Sequence, residues 1–218
     1  MKGNFHTQNP HLTHYTLNRA MDKTKAILIG IVAGAAIVAG ALFFMNQETE
    51  PSPADFQPIT ILKYSDYQCP ACKVMIPMEK QLLAEYGELI NFEYRHFPLS
   101  GHQFAELAAR SYEAAKIQGQ GEAMHERIFD GQEIWSRGDA ERIFREYAQQ
   151  IGLDMAQFDA DQASEEVAAV VASQRREGMR RLVPGTPTYF INGRKISQTP
   201  RSYEQFRSLA ELYMSDPG

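Results

Sequence analysis

Apolar and polar positions change rhythm several times along this chain, and each rhythm predicts a different element. Positions 26–45 (AILIGIVAGAAIVAGALFFM) carry no charge and are apolar on every side, long enough to cross the hydrocarbon core of a bilayer. Positions 46–57 (NQETEPSPADFQ) are acidic, hold two prolines and have no apolar period, which reads as a flexible tether spanning roughly 20 Å. Positions 59–64 (ITILKY) read as a buried strand, and a helical pattern then runs to about Tyr86, with Gly87 as its stop and Pro77 as an internal kink. Alternation resumes at Ile90 and ends near Phe97, so two strands flank a helix as in a βαβ unit. From about 101 to 181 the spacing is helical throughout. One stripe is Phe104, Leu107, Ala108, Tyr112 and Ala115. A second is Ile143, Phe144, Tyr147, Ala148 and Ile151, with Asp139 as cap and Gly152 as stop. A third is Val167, Val170 and Val171 after a Ser164 cap. Strands return at 188–191 and 194–197, joined by the hairpin dipeptide Asn192-Gly193, and a last helix starts at Ser202 with Gln205 completing a capping box.

This order predicts an α/β fold with an inserted helical subdomain at about 101–181, carried in a domain spanning 58–218. Residues 1–25 read as a cytoplasmic leader, 26–45 as a transmembrane anchor or signal sequence, and 46–57 as a linker. Lys23 and Lys25 before the apolar run and Glu48 and Glu50 after it place the C-terminal part outside the cytoplasm. Ala39-Gly40-Ala41 resembles a cleavage site, but the apolar run continues past it, which favours a retained anchor. Met21 is an alternative start. His6, His11 and His14 fit a polar leader better than a metal-binding tail, and Gly30 and Gly34 fit ordinary glycine usage in such helices.

Charge narrows the partners. Lys and Arg number 22 against 27 Asp and Glu, a net charge of −5 without a clustered basic face, so nucleic acid is not an expected partner.

The candidate chemistry lies in Cys69-Pro70-Ala71-Cys72, which holds both cysteines of the chain at the start of the first helix. A helix N-terminus presents unpaired N–H groups and partial positive charge, which stabilise a thiolate and make it reactive near neutral pH. Pro70 suits the first helical position. Cys69 is expected at the exposed tip as nucleophile, and Cys72, one turn in, as the more buried resolving thiol. Zinc would want four ligands, and no second pair at ligand spacing follows. The second candidate segment is Val183-Pro184-Gly185-Thr186-Pro187 before the strand. A cis Thr186–Pro187 bond would make a tight turn there and leave nearby backbone groups, at Gly185, Thr186 and Pro187, free to pair with an extended substrate.

The ordered motifs YSDYQCPAC, YRHFPL, a helical insertion and VPGTPTYFINGR resemble DsbA-like thioredoxin-fold proteins from about Ile59 to the C-terminus. The resemblance implies a thiol–disulfide oxidoreductase in which Cys69 attacks, Cys72 resolves and Pro187 is a cis-proline facing them. Pro77 resembles the proline of the thioredoxin active-site helix. It also implies cysteine-containing exported proteins as substrates, recycling by a quinone-linked membrane partner, and no organic cofactor or metal beyond the Cys69–Cys72 pair. One departure is Lys63, six positions before Cys69, where the family often carries an acid. Pointing inward, Lys63 would pay a burial penalty that lowers its pKa, and while charged it would stabilise a nearby thiolate; pointing outward, it would leave the site alone. Pro70, Ala71 and Thr186 are expected to influence redox poise. The leading expectation is a dithiol oxidase anchored in the cytoplasmic membrane with its domain outside. A reductase or isomerase using the same cysteines and a non-catalytic peptide-binding module are the alternatives. Asp66 and Tyr67, just before the first cysteine, are placed to shape the site but, like His96, receive no chemical role, and Trp135 is expected to pack.

Overall fold

The computed structural model describes residues 56–216. The leader, the apolar run at 26–45 and nearly all of the tether lie outside the described residues. Among those described, no helix is long and apolar enough to cross a membrane.

Strand β1 (Ile59–Ser65) leads into helix α1 (Pro70–Tyr86), and β2 (Ile90–His96) returns beside it. The β1–β2 pairing is parallel, from Ile59 opposite Ile90 to Ser65 opposite His96. Helices α2 (Ala105–Ile117), α3 (Gly121–Asp130), α4 (Gln132–Trp135), α5 (Ala140–Gln150), α6 (Met155–Ala163) and α7 (Glu165–Arg180) follow. The chain then re-enters the sheet as β3 (Thr188–Ile191) and β4 (Arg194–Lys195), and ends in α8 (Tyr203–Ser215). Sheet order is β2-β1-β3-β4, with β3 antiparallel to β1 and Lys63 opposite Tyr189. This is a thioredoxin-like fold with helices inserted between β2 and β3.

Local chemistry sets the element ends. Asp139, Ser164 and Ser202 each accept from the backbone N–H three residues on. Asn192 and Gly193 both adopt positive φ, 47° and 79°, as a tight hairpin between twisted strands requires. Two expectations need correction. Gln205 reaches the N–H of Arg201, not that of the cap residue Ser202. The strand expected over 194–197 is only Arg194–Lys195, both exposed, although Ile196 still donates to the Tyr189 carbonyl in the same antiparallel register. Helix α1 runs unbroken through Pro77.

Alternation along β1 separates two faces. Ile59 and Ile61 pack with Met75 and Leu82 of α1 and Phe206 and Ala210 of α8. Leu62 and Tyr64 pack on the other side with Phe97, Val183 and Phe190. The inserted helices have their own core around Trp135, Phe144 and Phe158, and it takes in Tyr67, Cys69 and Cys72. The cysteines therefore lie where the inserted helices meet the start of α1. Gly178 of α7 permits close approach to the sheet: a Cβ there would sit 2.6 Å from the Phe97 ring.

Candidate active site

Cys69 is the N-cap of α1, and Pro70 opens the helix. Its carbonyl accepts the first helical bonds, from the N–H of Cys72 at 3.1 Å and of Lys73 at 3.3 Å. Both thiols are free. Cys72 is fully buried, as expected, but Cys69 is only 7% exposed, so it is not an exposed tip. The inserted helices and the turn at Thr186 cover it, while Pro70 and Ala71 face solvent.

The Thr186–Pro187 bond is cis. The Cys69 Sγ–H donates to the Thr186 carbonyl at 3.4 Å, which brings residues 117 positions apart into one site. The expected free backbone groups are partly occupied. The Gly185 carbonyl accepts from Thr188 Oγ1 at 2.7 Å, and that of Pro187 from Thr199 Oγ1 at 3.2 Å. Among the described residues, the N–H groups of Gly185 and Thr186 have no acceptor.

The two sulfurs differ in acidity. Cys69 is lowered from 9.0 to about 5. Its largest cause is the hydrogen bond from the Cys72 thiol. Burial opposes the shift, and hydrogen bonding from Thr186 and the N–H groups of Cys72 and Ala71 adds to it. The Thr186 hydroxyl is buried with no other partner, so a Cys69 thiolate is the acceptor it lacks. Cys72 is pushed up, first by burial and then by its bond to Cys69, with the Lys63 charge pulling the other way.

Lys63 points inward and is fully buried. Its Nζ lies 2.7 Å from Glu79 Oε1 and donates to the Cys72 carbonyl at 3.4 Å. The rings of Tyr94, Phe129 and Tyr189 surround the ammonium at 5.5 to 5.8 Å. Tyr94 donates to Glu79 Oε2 at 3.0 Å, and Tyr189 donates to Oε1. Burial, and after it the Glu79 charge, keeps both phenols protonated as donors. The site thus holds a neutral ion pair with its cation toward Cys72.

Sequence reasoning missed Glu79, Gln132 and His125, while it named Asp66 as shaping the site and Trp135 as packing. Glu79 lies on the stripe Cys72, Met75, Glu79, Leu82, Tyr86 that α1 buries, and that spacing was a usable signal. Asp66, fully shielded, accepts from Gln68 N at 2.7 Å, Leu99 N at 2.9 Å and His102 Nδ1 at 2.7 Å, and so shapes the turn before Cys69. Gln132 donates to the carbonyls of Tyr67 and Cys69. His96 is buried against Glu113 at 3.0 Å. His125 bonds Tyr67 at 2.9 Å and is lowered to about 3 by burial and then by the Lys63 charge, so it is neutral. Trp135 is fully buried and donates to the Ile128 carbonyl. Among the described residues, no three His, Cys, Asp or Glu side chains gather as a metal site would need.

Residues 60–209 match the family described as DSBA-like thioredoxin domain. A thioredoxin-like oxidoreductase from Silicibacter pomeroyi DSS-3 superposes with a TM-score of 0.62 at 23% identity, covering 74% of this chain and 88% of that one. Oxidised BdbD from Bacillus subtilis gives 0.62 at 18% identity, covering 76% and 96%. At these identities the likeness is one of fold. A protein named Na(+)/H(+) antiporter NhaA 3 from Salinispora tropica is 33% identical over 139 residues, which are 63% of this chain but 21% of that protein. The chain spans about a fifth of such relatives, so what is shared is a domain-length segment, and ion transport does not transfer with it. With the family match covering most of the chain, the protein belongs to the DsbA-like thioredoxin-domain family.

Proposed function

We propose that the protein is a dithiol oxidase that introduces disulfides into cysteine-containing exported proteins. The observation that carries this reading is the unequal setting of the sulfurs: Cys69 caps α1 beside the Cys72 thiol and among N–H and O–H donors that hold it down to about 5, while Cys72 is fully buried one turn in and pushed up. A stable Cys69 thiolate favours the dithiol form, and that makes the disulfide a strong oxidant.

In the forward reaction a substrate thiolate attacks Cys69 Sγ. The Cys69–Cys72 bond breaks, a mixed disulfide forms, and Cys72 departs as a thiolate that takes up a proton. A second substrate thiolate then attacks the substrate sulfur of the mixed disulfide and expels the Cys69 thiolate. Two substrate thiols are oxidised to a disulfide, and the Cys69–Cys72 disulfide is reduced. Pro187 presents its turn to the site, the free N–H groups of Gly185 and Thr186 suit an extended substrate strand, and Lys63 eases the departure of Cys72 by opposing its negative charge. Pro70 and Ala71 form the solvent-facing approach. Reoxidation falls to a quinone-linked membrane partner. The apolar run at 26–45 would hold the domain at the outer face of the cytoplasmic membrane.

The test is equilibration of the full chain with glutathione. An oxidase comes to rest far above the thioredoxin potential of about −270 mV. A couple near that value assigns the protein to reduction or isomerisation. A Cys72→Ala variant should accumulate mixed disulfides with substrate. If Cys69→Ala retained full biological activity, the protein would be a binding module.

A further inference from the structure

Gln132 opens α4, a single helical turn in the inserted layer, 63 residues from Cys69. Its side chain is only 3% exposed. The amide Nε2 donates to the Tyr67 carbonyl at 2.7 Å and to the Cys69 carbonyl at 3.0 Å, so both hydrogens are used on the turn that delivers the reactive sulfur. Among the described residues, the Tyr67 carbonyl has no other donor. The residue between these carbonyls is held too: the Gln68 side chain accepts from the N–H of Phe104, which precedes α2.

We propose that Gln132 is a positioning residue for the thiol–disulfide reaction, clamping the turn before α1 and making the Cys69 thiolate easier to form and to expel. The Cys69 carbonyl is bonded to the same Cα as the thiolate arm, and its partial negative charge opposes the anion. An N–H set against that oxygen offsets the charge. The clamp also holds the turn in the orientation that points the N–H groups of Ala71 and Cys72 at the sulfur. A group in the inserted helices thereby contributes to the acidity of a cysteine in the thioredoxin unit. The inference rests on Cys69 being the reactive sulfur, and its test reads acidity, which does not depend on the direction of exchange.

The experiment compares Gln132→Leu and Gln132→Glu with the unmodified full chain. Cys69 is titrated by thiolate absorbance, and the glutathione equilibrium is measured alongside thermal melting. Leu removes both donors and should raise the Cys69 midpoint by about one pH unit, weakening the oxidant by about tenfold. Glu, nearly the same shape, should raise it further as its carboxyl ionises against two carbonyls. Lower melting with unchanged midpoint and equilibrium in both variants would overturn the proposal and leave Gln132 a packing residue. The unmodified chain gives a readout that no folding defect can obscure. The side-chain amide resonances of Gln132 should shift through the Cys69 midpoint, and resonances flat across it would also overturn the proposal.

Discussion

Cys69 and Cys72 are the same residue type three positions apart, yet their surroundings drive them in opposite directions. Cys69 lies where α1 begins, within reach of N–H donors, the Cys72 thiol and the Thr186 side chain. Cys72 lies one turn deeper, where burial dominates and the Lys63 charge offers partial relief. The difference teaches that burial alone does not set thiol acidity, since both residues are buried. What differs is the supply of donors. One sulfur meets the N–H groups of the helix start and a hydroxyl with no other partner; the other meets an ammonium already committed to Glu79.

The comparison breaks most sharply on the Cys72 side. Lys63→Met leaves the Glu79 carboxylate buried without its cation and should destabilise the fold by about 3–5 kcal/mol in denaturant titration. Adding Glu79→Gln should restore much of that loss, because the amide carries no charge and still accepts from Tyr94 and Tyr189. The Cys69 midpoint should scarcely move in either variant, and an equal movement of both sulfurs would end the distinction drawn here. A pH series sharpens the Cys69 side. With a native midpoint near 5 against an ordinary 9.0, Cys69 stabilises the dithiol form fully above pH 9 and loses that stabilisation as pH falls through 5. The disulfide form lacks this contribution. The stability advantage of the dithiol over the disulfide should therefore shrink by about 2 kcal/mol between pH 7 and 5. Paired melting curves of the two forms check this. The smallest effect expected is that of Thr186→Val, which keeps shape but removes the hydroxyl. It should raise the Cys69 midpoint by about half a pH unit without loss of stability, since the hydroxyl has no other partner to lose.

Much of the fold was legible because the signals are local. A cap side chain answers an N–H three residues away, as at Asp139, Ser164 and Ser202, and Asn192-Gly193 carries its turn in its own backbone freedom. The position of the cysteines at a helix start was legible for the same reason. Lys63 could be flagged as a departure but not oriented, because its direction depends on Glu79, Tyr94 and Tyr189 from three different elements. Gln132 left no local trace, since its partners lie more than sixty residues upstream. The burial of Cys69 was misread because the cover comes from segments distant in sequence, the inserted helices and the turn at Thr186.

Gly178 has a mechanical consequence. A single methyl at this position would meet the Phe97 ring at 2.6 Å and crowd Tyr64 at 3.0 Å, wedging the end of α7 away from the strands beneath it. Just past that point the helix stops. Val183 donates back to the Gly178 carbonyl, and the chain passes through Leu182, itself at a φ of 54°, toward Thr186 and Pro187. The missing side chain therefore ties the seating of α7 on the strands to the path of the loop whose Thr186 carbonyl meets the Cys69 sulfur.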